Sequence, residues 1–389
     1  MQELDNIVEA VKQGEPVYLE PYREPKVWGA VDGIGEFWYG CEKGDKSATA
    51  VSGDDEAPFS EVVEKAPEAV LGKKVVDKFG VTMPLVKILT PKGRLSAQFH
   101  EAKNELWIVT GIDEAMAGGA PSIILGFSAE SVDKYGSEVA GKYGEALEVY
   151  GKALNELIDI LEREGFKEVL EAEADVIRAA SSVSGDCPGA AGALETLLGA
   201  RENMEWFYNN RPVKVGDVIP VPALTLHALG PGIEIVEPQI FGTTQSTEDG
   251  ATYPVRYYFP GYERPGAGKK LDVDRVGEMR PEVTKEGAPV VISEAEGVKV
   301  EKLPGDLADK GLEVYRIDMK KGAVMTSATE SFHNLVSVKG SARVEMNGYI
   351  YPVPAAKAGG RMLIIPASAG EYKLIAGEDT QVIDTFTPV

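Results

Sequence analysis

Two residue types are scarce in this chain of 389: there are two cysteines and three histidines. Cys41 and Cys187 lie far apart and show no CxxC spacing, which excludes a cysteine zinc knuckle and any disulfide framework beyond one bridge. A reducing cytoplasm is the expected setting. Positive charge is also short, with 40 Lys and Arg against 62 Asp and Glu and a formal net charge of −22. Such a surface repels nucleic-acid phosphates and anionic lipid, so neither partner is expected. No apolar run reaches the roughly 18–20 residues that a membrane-spanning helix needs. The opening MQELDNIVEAVKQGE is acidic and amphipathic, unlike a signal peptide. GAGKK is not a phosphate-binding loop either, because no Gly stands at the required spacing before Gly268 and Lys270 occupies the Ser/Thr position.

What is present is ordinary globular material, 43% hydrophobic and 26% charged, at a length that suits two or three domains. From Pro16 to Gly126 short runs such as PVYLEPY, VWGAV, EFWYG, PLVKILT, LSAQFH, LWIVTG and PSIILGF read as strands between turns. One helical stretch, PFSEVVEKAPEAVLG, interrupts them, with Ser60 as N-cap. The texture changes near Ala129. Val139, Tyr143, Leu147, Tyr150, Leu154, Leu157 and Leu161 recur at steps of three and four, which predicts an amphipathic helix started by Ser131 or Asp133 and ended by Gly165. Further helical pattern follows, broken by a loop at SGDCPGAAG, until strand texture returns at Arg211. GYERPGAGKK reads as a linker, and the remainder is β-like, with Asn347-Gly348 a strong hairpin signal. The expected fold is mainly β with a helical insertion, the strands forming sandwiches or jelly-roll barrels.

Two of the three histidines stand among other ligand-capable residues. In SAQFHEAKNELW, Gln98 and His100 alternate to one face of a strand, and a short turn brings Glu105 back beside them. In GDVIPVPALTLHALG, Thr225 and His227 alternate likewise. Gly93, Gln98, His100, Glu105 and Gly111, followed by Gly216, Pro222 and His227, resemble the two motifs of the cupin superfamily, with Gln98 in place of the first His and Leu224 in place of a Gly. The Q-x-H form is similar to that of the type I mannose-6-phosphate isomerases. The likeness extends to VWGAVDGIGEFWYG (Trp28, Gly29, Gly35, Glu36, Trp38), to PLVKIL, to AKNELW and to PALTLHAL…VEPQ…ATYPVR.

That resemblance implies two cupin jelly-roll barrels (a bicupin) plus an α-helical domain. Residues 1–126 and 208–262 would form the catalytic cupin, 127–207 the helical insertion and 263–389 a degenerate second cupin. It implies one Zn²⁺ held by Gln98, His100, Glu105 and His227, a donor set suited to an open catalytic site. Its reaction would be the interconversion of mannose 6-phosphate and fructose 6-phosphate through an enediolate, for which Lys103, Glu237 and Arg256 are the catalytic candidates. Glu237 is the general-base candidate. Ser96, Lys87 and Arg264 are candidates for substrate binding, and Arg264 competes with Arg256 for the family's arginine. A different, unphosphorylated sugar and a non-catalytic sugar-binding or regulatory role stay open, as does a monomer or a homodimer. His333, with no Glu or later His at cupin spacing, reads as structural.

Overall fold

A strand that is apolar at every position, rather than at alternate ones, must be covered on both faces. Met362–Ile365 is such a strand: all four residues are buried, Met362 and Ile364 joining one core and Leu363 and Ile365 another. In the computed structural model it lies inside a nine-stranded sheet. That sheet runs from Val290–Ala295 at one edge, through Glu313–Met319 and His333–Lys339, to Val17–Glu20 and the far edge Asp55–Pro58. The structure describes residues 2–26, 28–41, 46–100, 103–165, 173–240, 273–281, 287–305 and 307–389, and gives only backbone for 244–246, 252–254, 256–258, Ala174, Val273 and Asp274. The linker expected at GYERPGAGKK lies outside the described residues.

One face of the nine-stranded sheet packs on a four-stranded sheet that includes Glu371–Ala376 and Ala342–Met346. Its other face meets a six-stranded sheet, in the order Val218–Val221, Glu105–Ile112, Ile233–Gln239, Leu85–Leu89, Ile34–Tyr39, Tyr22–Pro25. The six-stranded sheet in turn faces a five-stranded one: Tyr208–Pro212, Ser122–Phe127, His227–Ala228, Gln98–His100, Arg256–Tyr258. Ladders between these strands are antiparallel. The chain is thus mainly β with a helical segment, as its pattern predicts. Each large apolar side chain buried in these layers contributes about 1.5–3 kcal/mol, which orders the strands that carry the polar groups.

The first residues do not stay with the strands that follow them. Val17–Glu20 pairs on one side with Met362–Ile365 and on the other with Thr49–Ser52, so both ends of the chain share one sheet. Of the expected strand VWGAV, the described residues 28–31 form a turn with isolated bridges rather than a strand. Two close approaches impose this. A Cβ on Gly35 would lie 2.5 Å from the Trp28 ring, and one on Gly29 would lie 2.4 Å from the Ile34 carbonyl carbon. Asn347 and Gly348, at φ of 51° and 81°, close the expected two-residue hairpin by pairing Met346 with Tyr349.

The helical segment keeps its register and its closing glycine but not its expected N-caps. The long helix Val139–Arg163 buries Val139, Tyr143, Leu147, Tyr150, Leu154, Leu157 and Leu161, and Gly165 follows it at φ 88°. The cap lies earlier: Ser128, not Ser131 or Asp133, accepts from the Ser131 amide at the start of Ala129–Tyr135. Pro188 opens the helix Pro188–Glu205 from within the expected loop, where its missing N–H costs nothing. Ser60 is no cap either. Phe59–Lys65 begins after Pro58, and the Ser60 amide donates to Ser47 Oγ.

Candidate metal centre

The strands Gln98–His100 and Glu105–Ile112 are not neighbours in one sheet, as the sequence suggested. They belong to the five- and six-stranded sheets, and the chain crosses between facing layers from His100 to Glu105. The effect is still convergence. His227 is paired directly with Gln98 and, on its other side, with Leu125. On the opposite sheet, Leu106 and Ile108 pack into the core against the nine-stranded sheet, so Glu105, Trp107 and Val109 face inward. One ligand atom from each of His100, Glu105 and His227 lies within 4.8 Å of the others, and all three residues are buried. His100 Nε2 is 3.0 Å from Glu105 Oε1, and His227 Nε2 is 3.9 Å from Glu105 Oε2. The His227 Nδ1 faces the Thr225 carbonyl at 2.8 Å, which turns Nε2 toward the cluster. Neither ring nitrogen of His100 makes a well-directed hydrogen bond, although the residue is 2% exposed.

Two glutamates are held in the same way. Trp107 Nε1 donates to Glu105 Oε2 at 2.8 Å, and Trp38 Nε1 donates to Glu36 Oε2 at 2.8 Å. Each carboxylate also takes a lysine: Lys103 donates to Glu105, and Lys87 Nζ donates to Glu36 Oε2 at 2.9 Å. Leu85–Leu89 is an interior strand, so Lys87 is not an edge lysine; it lies between Trp38 and Glu237 in the ladder. Lys103 Nζ is 3.5 Å from Glu237 Oε1. Lys87, Ser96, Gln98, His100, Lys103, Glu105 and Glu237 all line one cleft, together with Lys26, Trp28 and Glu36.

Burial dominates the electrostatics. It pushes the His100 pKa well down, helped by Lys103, so the ring is neutral and its lone pair is available. Burial alone would raise Glu105, but Lys103 and His100 beside it hold its carboxyl well below the usual range. Glu237 goes the other way: burial and the negative charge of Glu105 push it up to about 8, against the pull of Lys103 and Lys87. The cleft therefore holds one carboxylate that stays ionised and one carboxyl able to carry a proton near neutrality.

Leu224, where the resemblance expects glycine, sits at φ 64°. The backbone there keeps a left-handed turn that favours glycine, and its amide donates to the His100 carbonyl at 2.7 Å. Arg256 pairs in register with His100, but its side chain and the whole of Arg264 lie outside the described residues. His333 is elsewhere: its Nδ1 meets Asp384 Oδ2 at 2.8 Å and its ring stacks on Phe386. Sequence reasoning gave Glu36 no role, although EFW and ELW spell the same indole clamp. It also passed over Gln239, fully buried opposite Glu105 with neither amide atom hydrogen-bonded, and Asn104, whose Oδ1 accepts from the Ala223 amide.

No family model matches the chain, and no curated protein matches it. Solved structures do. The mannose 6-phosphate isomerase of Bacillus subtilis is 18% identical with a TM-score of 0.60, covering 95% of this chain and 99% of that one. A variant of phosphomannose isomerase from Salmonella typhimurium is 15% identical at a TM-score of 0.63, covering 96% and 100%. A zinc-bound mannose 6-phosphate isomerase is 13% identical at 0.61, with the same coverage. At these identities the likeness establishes the fold.

Proposed function

We propose that this protein is a metal-dependent aldose–ketose isomerase, interconverting mannose 6-phosphate and fructose 6-phosphate. The observation that carries the reading is the meeting of His100, Glu105 and His227 with Lys103 and Glu237 in one buried cleft. A fold shared along nearly its whole length with structures of that activity supports it. The division into 1–126 with 208–262, 127–207 and 263–389 belongs to the same reading, with Val17–Glu20 and Asp55–Pro58 joining the C-terminal sheet. We take the protein to be cytoplasmic, as a monomer or a homodimer; among the described residues no helix is long and apolar enough to cross a membrane.

The donor set fits a divalent ion. His100 is a neutral imidazole with buried, unbonded nitrogens, and Glu105 is a carboxylate held ionised. Gln98, His100, Glu105 and His227 would hold Zn²⁺, with Trp107 orienting the carboxylate. When bound, the ion supplies Lewis acidity to sugar oxygens. The chain's own groups do the proton work. Glu237 takes the proton from one carbon of the aldose–ketose pair and returns it to the next, a task suited to a carboxyl raised toward neutrality. Lys103, 3.5 Å from Glu237, places a cation where enediolate oxygen charge develops. Ser96 and Lys87 line the same cleft and hydrogen-bond the rest of the sugar, and Arg256, in backbone register with His100, is the arginine candidate.

One observation favours the second reading, an unphosphorylated sugar. Lys26, Lys87 and Lys103 each meet a carboxylate of Glu36 or Glu237 within 3.6 Å, so among the described residues these lysines are already charge-matched. A purely sugar-binding or regulatory protein is disfavoured by the convergence of Lys103 and Glu237 on the histidine cluster. The deciding experiment is metal analysis of the purified protein with isomerase assays on phosphorylated and free sugars, before and after chelation. Turnover of mannose 6-phosphate that needs the metal supports the first reading. Turnover of free aldoses alone supports the second, and activity surviving metal removal refutes the mechanism.

A further inference from the structure

We infer that Glu36 is a positioning residue for the reaction, acting through Lys87, an inference that rests on the isomerase reading above. Lys87 is 2% exposed in the middle of a sheet. A buried ammonium with no counter-charge gives up its proton or leaves its place. Glu36 supplies that charge at 2.9 Å, and Trp38 fixes the same Oε2 with a second bond of 2.8 Å. The Lys87 ammonium also stands 4.5 Å from the centre of the Trp38 ring, a cation–π contact that restricts it from a third side. Behind this, Lys26 Nζ lies 3.6 Å from Glu36 Oε1 and balances the carboxylate's other oxygen. The lysine is therefore paired with a fixed carboxylate and placed on the cleft wall between Trp38 and Glu237.

The arrangement repeats the one at the metal centre. Glu105, fixed on one oxygen by Trp107 two residues on, takes Lys103 on its other oxygen, much as Glu36, fixed by Trp38, takes Lys87 on the same oxygen. Two cations thus flank Glu237, each fixed by an indole-clamped carboxylate. One clamp is tied to the metal-ligand cluster; the other meets Lys87 and Lys26.

The test is a cycle of Glu36→Gln, Lys87→Met and the double variant, read by steady-state kinetics, thermal unfolding and acylation of Lys87 followed by mass spectrometry. Each single change should lower kcat/KM about 10²-fold, as for a misplaced group that contacts the bound sugar. The double variant should be no slower than Lys87→Met alone, because Glu36 works only through the lysine. Lys87 should acylate several-fold faster in Glu36→Gln than in the native protein. Losses that multiply in the double variant, or an unchanged Lys87 acylation rate in folded Glu36→Gln, would overturn the inference. Should Glu36→Gln fail to fold, the double variant against Lys87→Met still decides: equal rates support the inference and a further loss refutes it. If the native protein turns over no sugar, the isomerase reading falls, while acylation still reports on the Glu36–Lys87 pairing.

Discussion

His100 and Glu105 reach each other across two facing sheets, with His100 Nε2 3.0 Å from Glu105 Oε1. Between these two residues the chain passes from one layer to the other. A single ion between them would tie the layers together as well as serve chemistry, because binding to the native state alone adds to its stability.

Replacing His100 by Ala removes the ligand on one side of that link and leaves Glu105 on the other. We predict that metal content and isomerase activity fall together, each by at least about 10²-fold. Elemental analysis beside the activity assay checks this; a variant that keeps full metal occupancy would refute the ligand assignment.

Glu237 gives a pH signature in metal-stripped protein. Its pKa rises from an ordinary 4.5 to about 8 on folding, so between those values the native state holds more protons than the unfolded one. This group's contribution to stability is full below pH 4.5 and falls as the pH climbs toward 8. Glu237→Gln should flatten that decline. Thermal midpoints across the window decide it, and an unchanged slope would count against the burial argument.

Leu224 carries backbone strain at φ 64° beside the site. Leu224→Ile keeps the apolar volume but adds a β-branch where it fits worst, and should cost on the order of 1 kcal/mol. Because the Leu224 amide bonds the His100 carbonyl, metal affinity should weaken in parallel. Denaturant midpoints and metal titration test both halves; a variant as stable as the native protein contradicts them.

Tyr150 donates to Glu173 Oε1 at 2.6 Å inside the helical segment, where burial raises the Glu173 pKa. Tyr150→Phe leaves that carboxyl short of a donor in a place water hardly reaches, at a cost of about 1–3 kcal/mol. Chemical unfolding measures it, and no change in the midpoint would mean that the bond is replaced.

Local pattern carried much of this far. The steps of three and four from Val139 to Leu161 identify the buried face of the long helix residue by residue, because helix period and core contact are the same constraint. The meeting of His100, Glu105 and His227 was legible because few histidines stand in the chain and two of the three lie among other donors. Sheet membership was not legible. Nothing in HEAKNELW says that the strand after the turn leaves its predecessor's sheet, since alternation looks the same in both layers. Nor could it reveal that Lys87 shares Glu36 with Trp38, a contact made across 51 residues by strand pairing.

The pairing of Val17–Glu20 with Met362–Ile365 also has a temporal meaning. A ribosome adding about 5–20 residues per second needs roughly twenty seconds to a minute to pass from the first strand to the second. Throughout that interval an apolar strand made early waits for a mate not yet synthesised. Its nine-stranded sheet closes only once Met362–Ile365 has been made, and products truncated before it would keep that edge bare.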